Sequence, residues 1–117
     1  MYTYKIEVDR VIDGDTIDAN IDLGFDVSVK KRIRFMGINT PESRTRDAEE
    51  KVRGLAAKKR VEELLQDAET ITVQSHGVGK FGRCLGELIL TQAGKEINLN
   101  KLLISEGHAV EYFGGKR

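Results

Sequence analysis

Apolar and polar positions alternate through the first third of the chain in the way that β-strands require. The alternation predicts strands at residues 2–10, 16–22 and 27–36, with a hairpin connection at residues 23–26. Short turns join the three strands, so this part of the sequence predicts an antiparallel meander.

The period changes after Pro41, and helical spacing of apolar residues predicts a helix at 48–66 capped by Asp47. A strand is predicted at 70–74, a glycine-rich loop at 75–82, a fifth strand at 84–91 and a turn at 92–95. A short helix follows, capped by Asn98 and stopped by Gly107, and then an extended segment at 108–113. This order predicts a mixed β-barrel with helices (α+β). The architecture is a five-stranded Greek-key barrel of the OB type, with one long helix between strands 3 and 4 and a short helix near the C-terminus.

A length of 117 residues predicts a single domain over residues 1–117. The formal net charge is zero, but basic residues outnumber acidic ones between residues 30 and 60. Such a segment attracts a polyanion or forms a solvated helix face. The single cysteine, Cys84, excludes a disulfide framework and a cysteine-based zinc site. No stretch approaches the ~20 apolar residues of a membrane span. We therefore expect no membrane partner and a cytoplasmic location, or secretion if a leader has been removed.

A first polar cluster, Asp13-Gly14-Asp15-Thr16, places two carboxylates around a glycine that allows a tight turn. Oxygen ligands of this kind suit a hard cation such as calcium or magnesium. Asp-Gly before an alternating segment is also typical of an ordinary hairpin turn.

A second cluster, Asn39-Thr40-Pro41-Glu42, begins where the third strand ends. Asn39 and Thr40 offer a side-chain and a main-chain carbonyl, and Pro41 biases Thr40 towards an extended conformation. Glu42 could take a proton from a water molecule. The alternative is that these are ordinary polar residues at the end of a strand, with no role in a site.

Two arginines, Arg34 and Arg83, lie on predicted strands about fifty residues apart. If they converge, their guanidinium groups can hold one phosphate and stabilise the charge of its transition state. Lys80 and Phe81 lie in the predicted loop and could contact a sugar or base, although Phe81 could equally pack against the protein.

In this order and spacing, the three clusters closely resemble those of the staphylococcal (thermonuclease) nuclease family, over about residues 4–112. The resemblance implies an OB-fold endonuclease that hydrolyses DNA or RNA with calcium and leaves 3′-phosphate ends. It implies that Glu42 is the general base and that Arg34 and Arg83 clamp the phosphate. By the same resemblance Asp15, position 39 and the Thr40 carbonyl bind a divalent metal ion, with Asp13 in the outer shell. Lys80, Phe81 and Tyr112 would lie near the nucleotide.

The sequence departs from the family pattern at Asn39, where the family usually has a calcium-binding aspartate, and at Gly79 and Phe81. Loss of a negative ligand predicts weak metal binding unless another group compensates, because ligand charge strongly affects calcium affinity. Asp18 is near in sequence, but strand alternation does not decide whether its side chain reaches the site. The loss of this charge leaves open a nuclease-like module that binds nucleic acid or a protein without cleavage, like the degenerate domains of Tudor-type coactivators. A purely structural barrel is a third alternative. The chain stops where family members often add a helix, which would leave barrel surface exposed and suggests a dimer or a lower stability. We expect a monomer or a weak homodimer.

Overall fold

The computed structural model describes residues 2–78 and 84–112, with the backbone alone at residues 2 and 78. Strands dominate this part of the chain, and the first three form the predicted meander. The elements, in chain order, are β1 (Tyr2–Asp13), β2 (Thr16–Gly24), β3 (Val27–Phe35), β4 (Ile38–Asn39), α1 (Ala48–Asp67), β5 (Thr70–Val78), β6 (Cys84–Gln92), β7 (Lys95–Asn98), α2 (Leu99–Ser105) and β8 (Val110–Glu111).

Five of the strands close into a barrel. They are hydrogen-bonded in the order β3-β2-β1-β5-β6, and β3 pairs with β6 in parallel to complete the circle. β7 extends the sheet beyond β6, and β4 pairs separately with β8. This closed barrel with two helices confirms the predicted α+β OB-type architecture.

The core consists of the inward-facing residues of the barrel and one side of each helix. Ile17, Ile33 and Leu88 are fully buried strand residues. Val61 of α1 and Leu103 of α2 are also fully buried, so both helices contribute to the same apolar cluster. Burial of such side chains contributes roughly 1.5–3 kcal/mol each. The barrel and its helices therefore form one packed unit on which the loops near residues 13–16 and 39–43 are held.

Both helices begin at the residues that the sequence predicts. The Asp47 side chain accepts hydrogen bonds from the main-chain N–H groups of Glu49 and Glu50, and the Asn98 side chain accepts one from Lys101. α2 ends just before Gly107, whose φ of +83° suits glycine. Neither helix in the described residues is long and apolar enough to cross a membrane.

The predicted loop at 75–82 is wrong in its first half, because β5 continues to Val78. The register of β5 against β6 shifts between Ser75 and Val78. Gly77 lies in this interval and has a φ of +109°. A glycine that reads as a loop signal is thus accommodated as a bulge within the strand. The remainder of that predicted loop, residues 79–82, lies outside the described residues.

The sequence also missed the short strands β4 and β7, and it ended β1 at residue 10 instead of Asp13. β8 lies within the extended segment predicted at 108–113. Strands of two to four residues carry too few alternating positions to be recognised. β1 contains two register shifts against β2, between Val8 and Arg10 and between Val11 and Asp13, which interrupt its alternation.

An ion pair joins the two helices. Arg60 donates to both carboxylate oxygens of Glu106, at 2.7 and 2.8 Å. The hydrogen bond from Arg60 lowers the pKa of Glu106 below its ordinary value. A carboxylate with a lowered pKa contributes stability above its ordinary pKa of about 4.3, and that contribution disappears as the pH falls through the lowered value.

Replacing Glu106 with Gln should therefore lower the free energy of unfolding by about 1 kcal/mol or less at pH 7, since the pair is partly exposed. The deficit should be smaller at pH 3, because the contribution is lost as the pH falls through the lowered pKa of Glu106. Urea unfolding at the two pH values measures it, with Glu62→Gln on an exposed part of α1 as the control. An equal deficit at both pH values would contradict the prediction.

Candidate active site

The turn between β1 and β2 places the first predicted cluster at one end of the barrel. Gly14 and Asp15 form the turn, and Asp13 and Thr16 are its paired flanking residues. A Cβ atom on Gly14 would lie 2.8 Å from the Cβ of Ala57 in α1. Because that contact is too close, glycine is needed here for the helix to pack against the turn.

Asp15 is 7% exposed, so its carboxylate depends on partners within the protein. The Thr16 hydroxyl donates to Oδ1 at 3.0 Å, and the Thr40 main-chain N–H donates to Oδ2 at 3.0 Å. The second bond joins residues 25 positions apart. It ties the first cluster directly to the second.

Arg34, near the end of β3, lies between Asp15 and Asn39. Its Nη1 atom is 3.3 Å from Oδ2 of Asp15, and its Nη2 atom donates to Oδ1 of Asn39 at 3.1 Å. Its side chain is only 14% exposed. Nη1 also donates to the Phe35 carbonyl at 3.0 Å, so the guanidinium group is held by a carboxylate, an amide and a main-chain oxygen.

The segment just before Glu42 is held by pairing of β4 with β8, which lies far along the sequence. Asn39 is the register partner of Val110, and the main-chain N–H of Tyr112 donates to the carbonyl of Gly37 at 2.9 Å. This pairing brings Tyr112 beside the second cluster.

Asp13 has a partner that the sequence did not suggest. Its Oδ1 atom accepts hydrogen bonds from both the main-chain N–H and the hydroxyl of Ser43, thirty residues away. Ser43 is buried and directly follows the exposed Glu42. The Asp13–Ser43 pair therefore fixes the backbone next to Glu42. The signal in the sequence that could have indicated this pair is the hydroxyl residue directly after Pro41-Glu42.

These segments enclose a cleft of about 230 Å³. Except for Asp18, all the candidate residues within the described part of the chain line it, together with Thr16, which the sequence did not single out as a site residue. The lining residues are Asp13, Asp15, Thr16, Arg34, Asn39, Thr40, Glu42 and Tyr112.

Other candidates lie elsewhere or cannot be placed. Asp18 is two residues from Thr16, but its carboxylate accepts hydrogen bonds from Arg32 and Arg10 on exposed parts of the sheet. The bond from Arg32 lowers the pKa of Asp18, which is not among the residues that line the cleft. The predicted contacts from Lys80, Phe81 and Arg83 lie outside the described residues.

Within residues 2–78 and 84–112, no three histidine, cysteine, aspartate or glutamate side chains are grouped as a metal site. The available donors are instead oxygen atoms of mixed type. They comprise carboxylates of Asp13 and Asp15, the amide of Asn39 and the carbonyl of Thr40, all lining the cleft. Such a set has the chemistry for a hard divalent cation, with less negative charge than three carboxylates would supply.

Comparisons with known proteins agree with this architecture. Residues 32–117 match the family model described as staphylococcal nuclease homologue. The chain is also 36% identical over 117 residues to a protein of Bacillus subtilis (strain 168) named endonuclease YhcR. That alignment covers 94% of this chain but 9% of the relative, so the chain spans only a small part of that protein's length. The family match covers well over half of the sequence, and the chain belongs to the staphylococcal nuclease homologue family.

Proposed function

We propose that this chain is a metal-dependent nuclease that hydrolyses phosphodiester bonds of DNA, RNA or both. The observation that carries the proposal is the meeting of Asp15, Arg34 and Glu42 at one cleft from three separate segments. A buried carboxylate, an oriented guanidinium group and an exposed carboxylate supply the parts that phosphodiester hydrolysis requires.

Arg34 binds the scissile phosphate in this proposal. A phosphate is a stronger acceptor than a neutral amide because hydrogen bonds between charged groups are stronger. It can therefore take the Nη2 hydrogen bond from Asn39 while the Arg34–Asp15 contact keeps the guanidinium group in place. The Asn39 oxygen then becomes available to another ligand.

Glu42 is the general base. It takes a proton from water as the water oxygen attacks phosphorus and the bond to the leaving ester oxygen breaks; the leaving oxygen takes up a proton from solvent to become an alcohol. The hydrogen bond between Asp13 and Ser43 holds the backbone beside Glu42, so the main chain that carries the Glu42 carboxylate is fixed in position. By the family pattern, Arg83 supplies a second guanidinium group to the phosphate.

The oxygen donors of the cleft fit a calcium ion, with Asp15, Asn39 and the Thr40 carbonyl as ligands and Asp13 nearby. When bound, the ion would neutralise part of the charge that develops on the phosphate. The proposed calcium preference rests on the family and the oxygen-only donor set.

The test is cleavage of single-stranded DNA and RNA by the purified chain with calcium, magnesium, manganese or EDTA. We expect cleavage with at least one divalent ion and none in EDTA. Absence of cleavage with every metal, in a sample that is folded by circular dichroism, would refute the nuclease proposal.

A second candidate function is a nuclease-like module that binds nucleic acid or a protein partner without cutting nucleic acid. The hydrogen bond from Arg34 to Asn39 favours it, because this amide carries no charge to attract a metal ion. Binding of a single-stranded oligonucleotide without cleavage in the same metal series would support this alternative.

Replacing Asn39 with Asp should raise calcium affinity about tenfold or more, because it adds one anionic ligand to the proposed site. Isothermal titration with calcium measures the change, and cleavage should reach half its maximum at correspondingly lower calcium concentration. Asn20→Asp, on β2 and outside the residues that line the cleft, adds the same charge as a control. Equal gains in both variants would indicate a general charge effect and contradict a ligand role for residue 39.

The single-domain organisation, the cytoplasmic or secreted location and the monomeric or weakly dimeric state stay predictions. Light scattering of the purified chain over a range of concentrations tests the last of these directly.

A further inference from the structure

A two-residue turn, Met36-Gly37, joins β3 to β4 and separates Arg34 from Asn39 in the chain. Gly37 has a φ of +81°, a conformation that suits glycine. Nη2 of Arg34 donates to Oδ1 of Asn39 across this turn at 3.1 Å. The position of the Met36-Gly37 turn therefore decides how these two side chains of the candidate active site face each other.

The side chain of Asn100, the second residue of α2, holds this turn from inside the protein. Its Nδ2 atom donates to the Met36 carbonyl at 2.8 Å and to the Gly86 carbonyl at 3.2 Å. Its Oδ1 atom accepts a hydrogen bond from the main-chain N–H of Leu88 at 3.3 Å. Asn100 is only 3% exposed, so water does not compete for these bonds. One buried amide thus connects α2 and β6 to the turn beside Arg34.

The same amide lies at the closure of the barrel. Within the described residues, three register pairs join β3 to β6, and they include Arg34 with Leu85 and Phe35 with Gly86. Just beyond them, the Met36 N–H donates to the Gly86 carbonyl at 2.8 Å. Parallel pairing is less stable per residue than antiparallel pairing, so a ladder this short depends on further bonds at its end. Asn100 supplies such bonds at the end of β3 that carries Arg34.

We infer that Asn100 is a positioning residue for the phosphodiester cleavage, an inference that rests on the proposed nuclease function. Asn100 holds the Met36 carbonyl, and the turn in its place sets the guanidinium group of Arg34, which receives the phosphate. Misplacement of such a group by about 1 Å is enough to slow a reaction strongly. Asn100 is not among the residues that line the cleft, so it acts through the turn and not on the substrate.

An amide is the side chain that this place requires, because it offers two N–H donors and a carbonyl acceptor at once. Leucine has a similar size but no polar atom. In Asn100→Leu, the Met36 carbonyl and the Leu88 N–H would lose their bonds to the side chain, whereas the Gly86 carbonyl would keep the bond from Met36. The substitution therefore removes the tie to the turn while it keeps most of the packing volume.

Asn100→Leu tests the inference, with Leu90→Ala as the control for loss of stability. Leu90 is a buried residue of β6 whose register partners, Ile71 and Ile97, lie on β5 and β7, away from the closure. Both substitutions destabilise the fold, and urea unfolding measures the loss in each. Kinetics are recorded where each variant is fully folded. Asn100→Ser, whose shorter side chain also gives up the amide donors, replaces Asn100→Leu if that variant does not fold.

With a single-stranded substrate and calcium, Asn100→Leu should lower kcat about 10- to 100-fold, whereas Leu90→Ala should change kcat by less than about threefold. KM should change less than kcat in Asn100→Leu, because the geometry of the guanidinium group matters most in the transition state.

Amide hydrogen exchange, followed by NMR, measures the hold on the turn without any catalysis. The Tyr112 N–H donates to the Gly37 carbonyl and so reports on the turn. In Asn100→Leu its exchange should accelerate at least about tenfold beyond what the loss of global stability accounts for, because the turn opens locally. In Leu90→Ala its exchange should follow global stability alone.

Equal losses of kcat in the two variants, or an unchanged kcat in Asn100→Leu, would overturn the inference and leave Asn100 a structural core residue. Tyr112 exchange that follows global stability in Asn100→Leu would overturn it too, because the turn would then be held without Asn100. In each case cleavage by the native chain would leave the nuclease proposal standing. Absence of cleavage by the native chain would refute the nuclease proposal and the catalytic part of the inference, while Tyr112 exchange would still show whether Asn100 holds the turn.

Discussion

Replacing Glu42 with Gln should lower kcat for phosphodiester cleavage by about 100- to 10,000-fold, the usual contribution of a general base. Glutamine keeps the size of the side chain but cannot accept a proton from water at neutral pH. Glu42 is exposed, so loss of its charge should change the free energy of unfolding little. The expected variant is folded, binds nucleic acid and does not cut it efficiently.

Steady-state kinetics with a single-stranded substrate should place the loss in kcat rather than in KM, because a base acts on the transition state and not on ground-state binding. The control is Glu62→Gln, which changes an exposed glutamate on α1. An unchanged kcat in Glu42→Gln would show that another group activates the water.

The order of elements could be predicted because its signals are local. Alternation fixed the three strands of the meander, and Asp47 and Asn98 marked the helix starts through hydrogen bonds within three residues. Closure of the barrel is different, because parallel pairing of β3 with β6 joins residues about fifty positions apart. It was inferred from the order of elements and the fold type, not from any single segment.

The identity of the candidate residues could also be predicted, but their mutual contacts could not. Asp13, Arg34 and Asn39 were singled out by residue type and spacing. The bonds from Arg34 to Asn39 and from Ser43 to Asp13 depend on the path of the chain through the cleft. Alternation likewise could not decide where Asp18 points, because its position follows from cross-strand pairing with Arg32.

A groove between α1 and the segment that follows α2 had no signal in the sequence for the same reason. Arg53 and Ala56 belong to α1, whereas His108 and Val110 follow α2, and each set reads as an ordinary helix surface or loop. The groove exists because both helices pack on one barrel, with α1 drawn close to the backbone of residues 42 and 43.

Gly54 allows that close approach. A Cβ atom at this position would overlap the carbonyl group of Glu42 and lie 2.7 Å from the main-chain nitrogen of Ser43. Both contacts are with backbone, which cannot rotate away as a long side chain could. Within a helix, glycine is otherwise about 1 kcal/mol less favourable than alanine. For Gly54→Ala, helix propensity thus predicts a higher free energy of unfolding and packing predicts a lower one.

Gly54→Ala should therefore destabilise the protein by about 1–3 kcal/mol, the usual cost of overpacking a well-packed site, in spite of the gain in helix propensity. Urea unfolding measures this, and Lys51→Ala on the exposed part of α1 should stay within about 0.5 kcal/mol of the native chain. In the fraction that stays folded, kcat should also fall at least tenfold, because the helix and the Glu42 backbone must separate and misplacement by about 1 Å at a catalytic group is costly. A more stable Gly54→Ala variant with unchanged kcat would show that propensity outweighs the contact and that the Glu42 segment does not depend on α1 for its position.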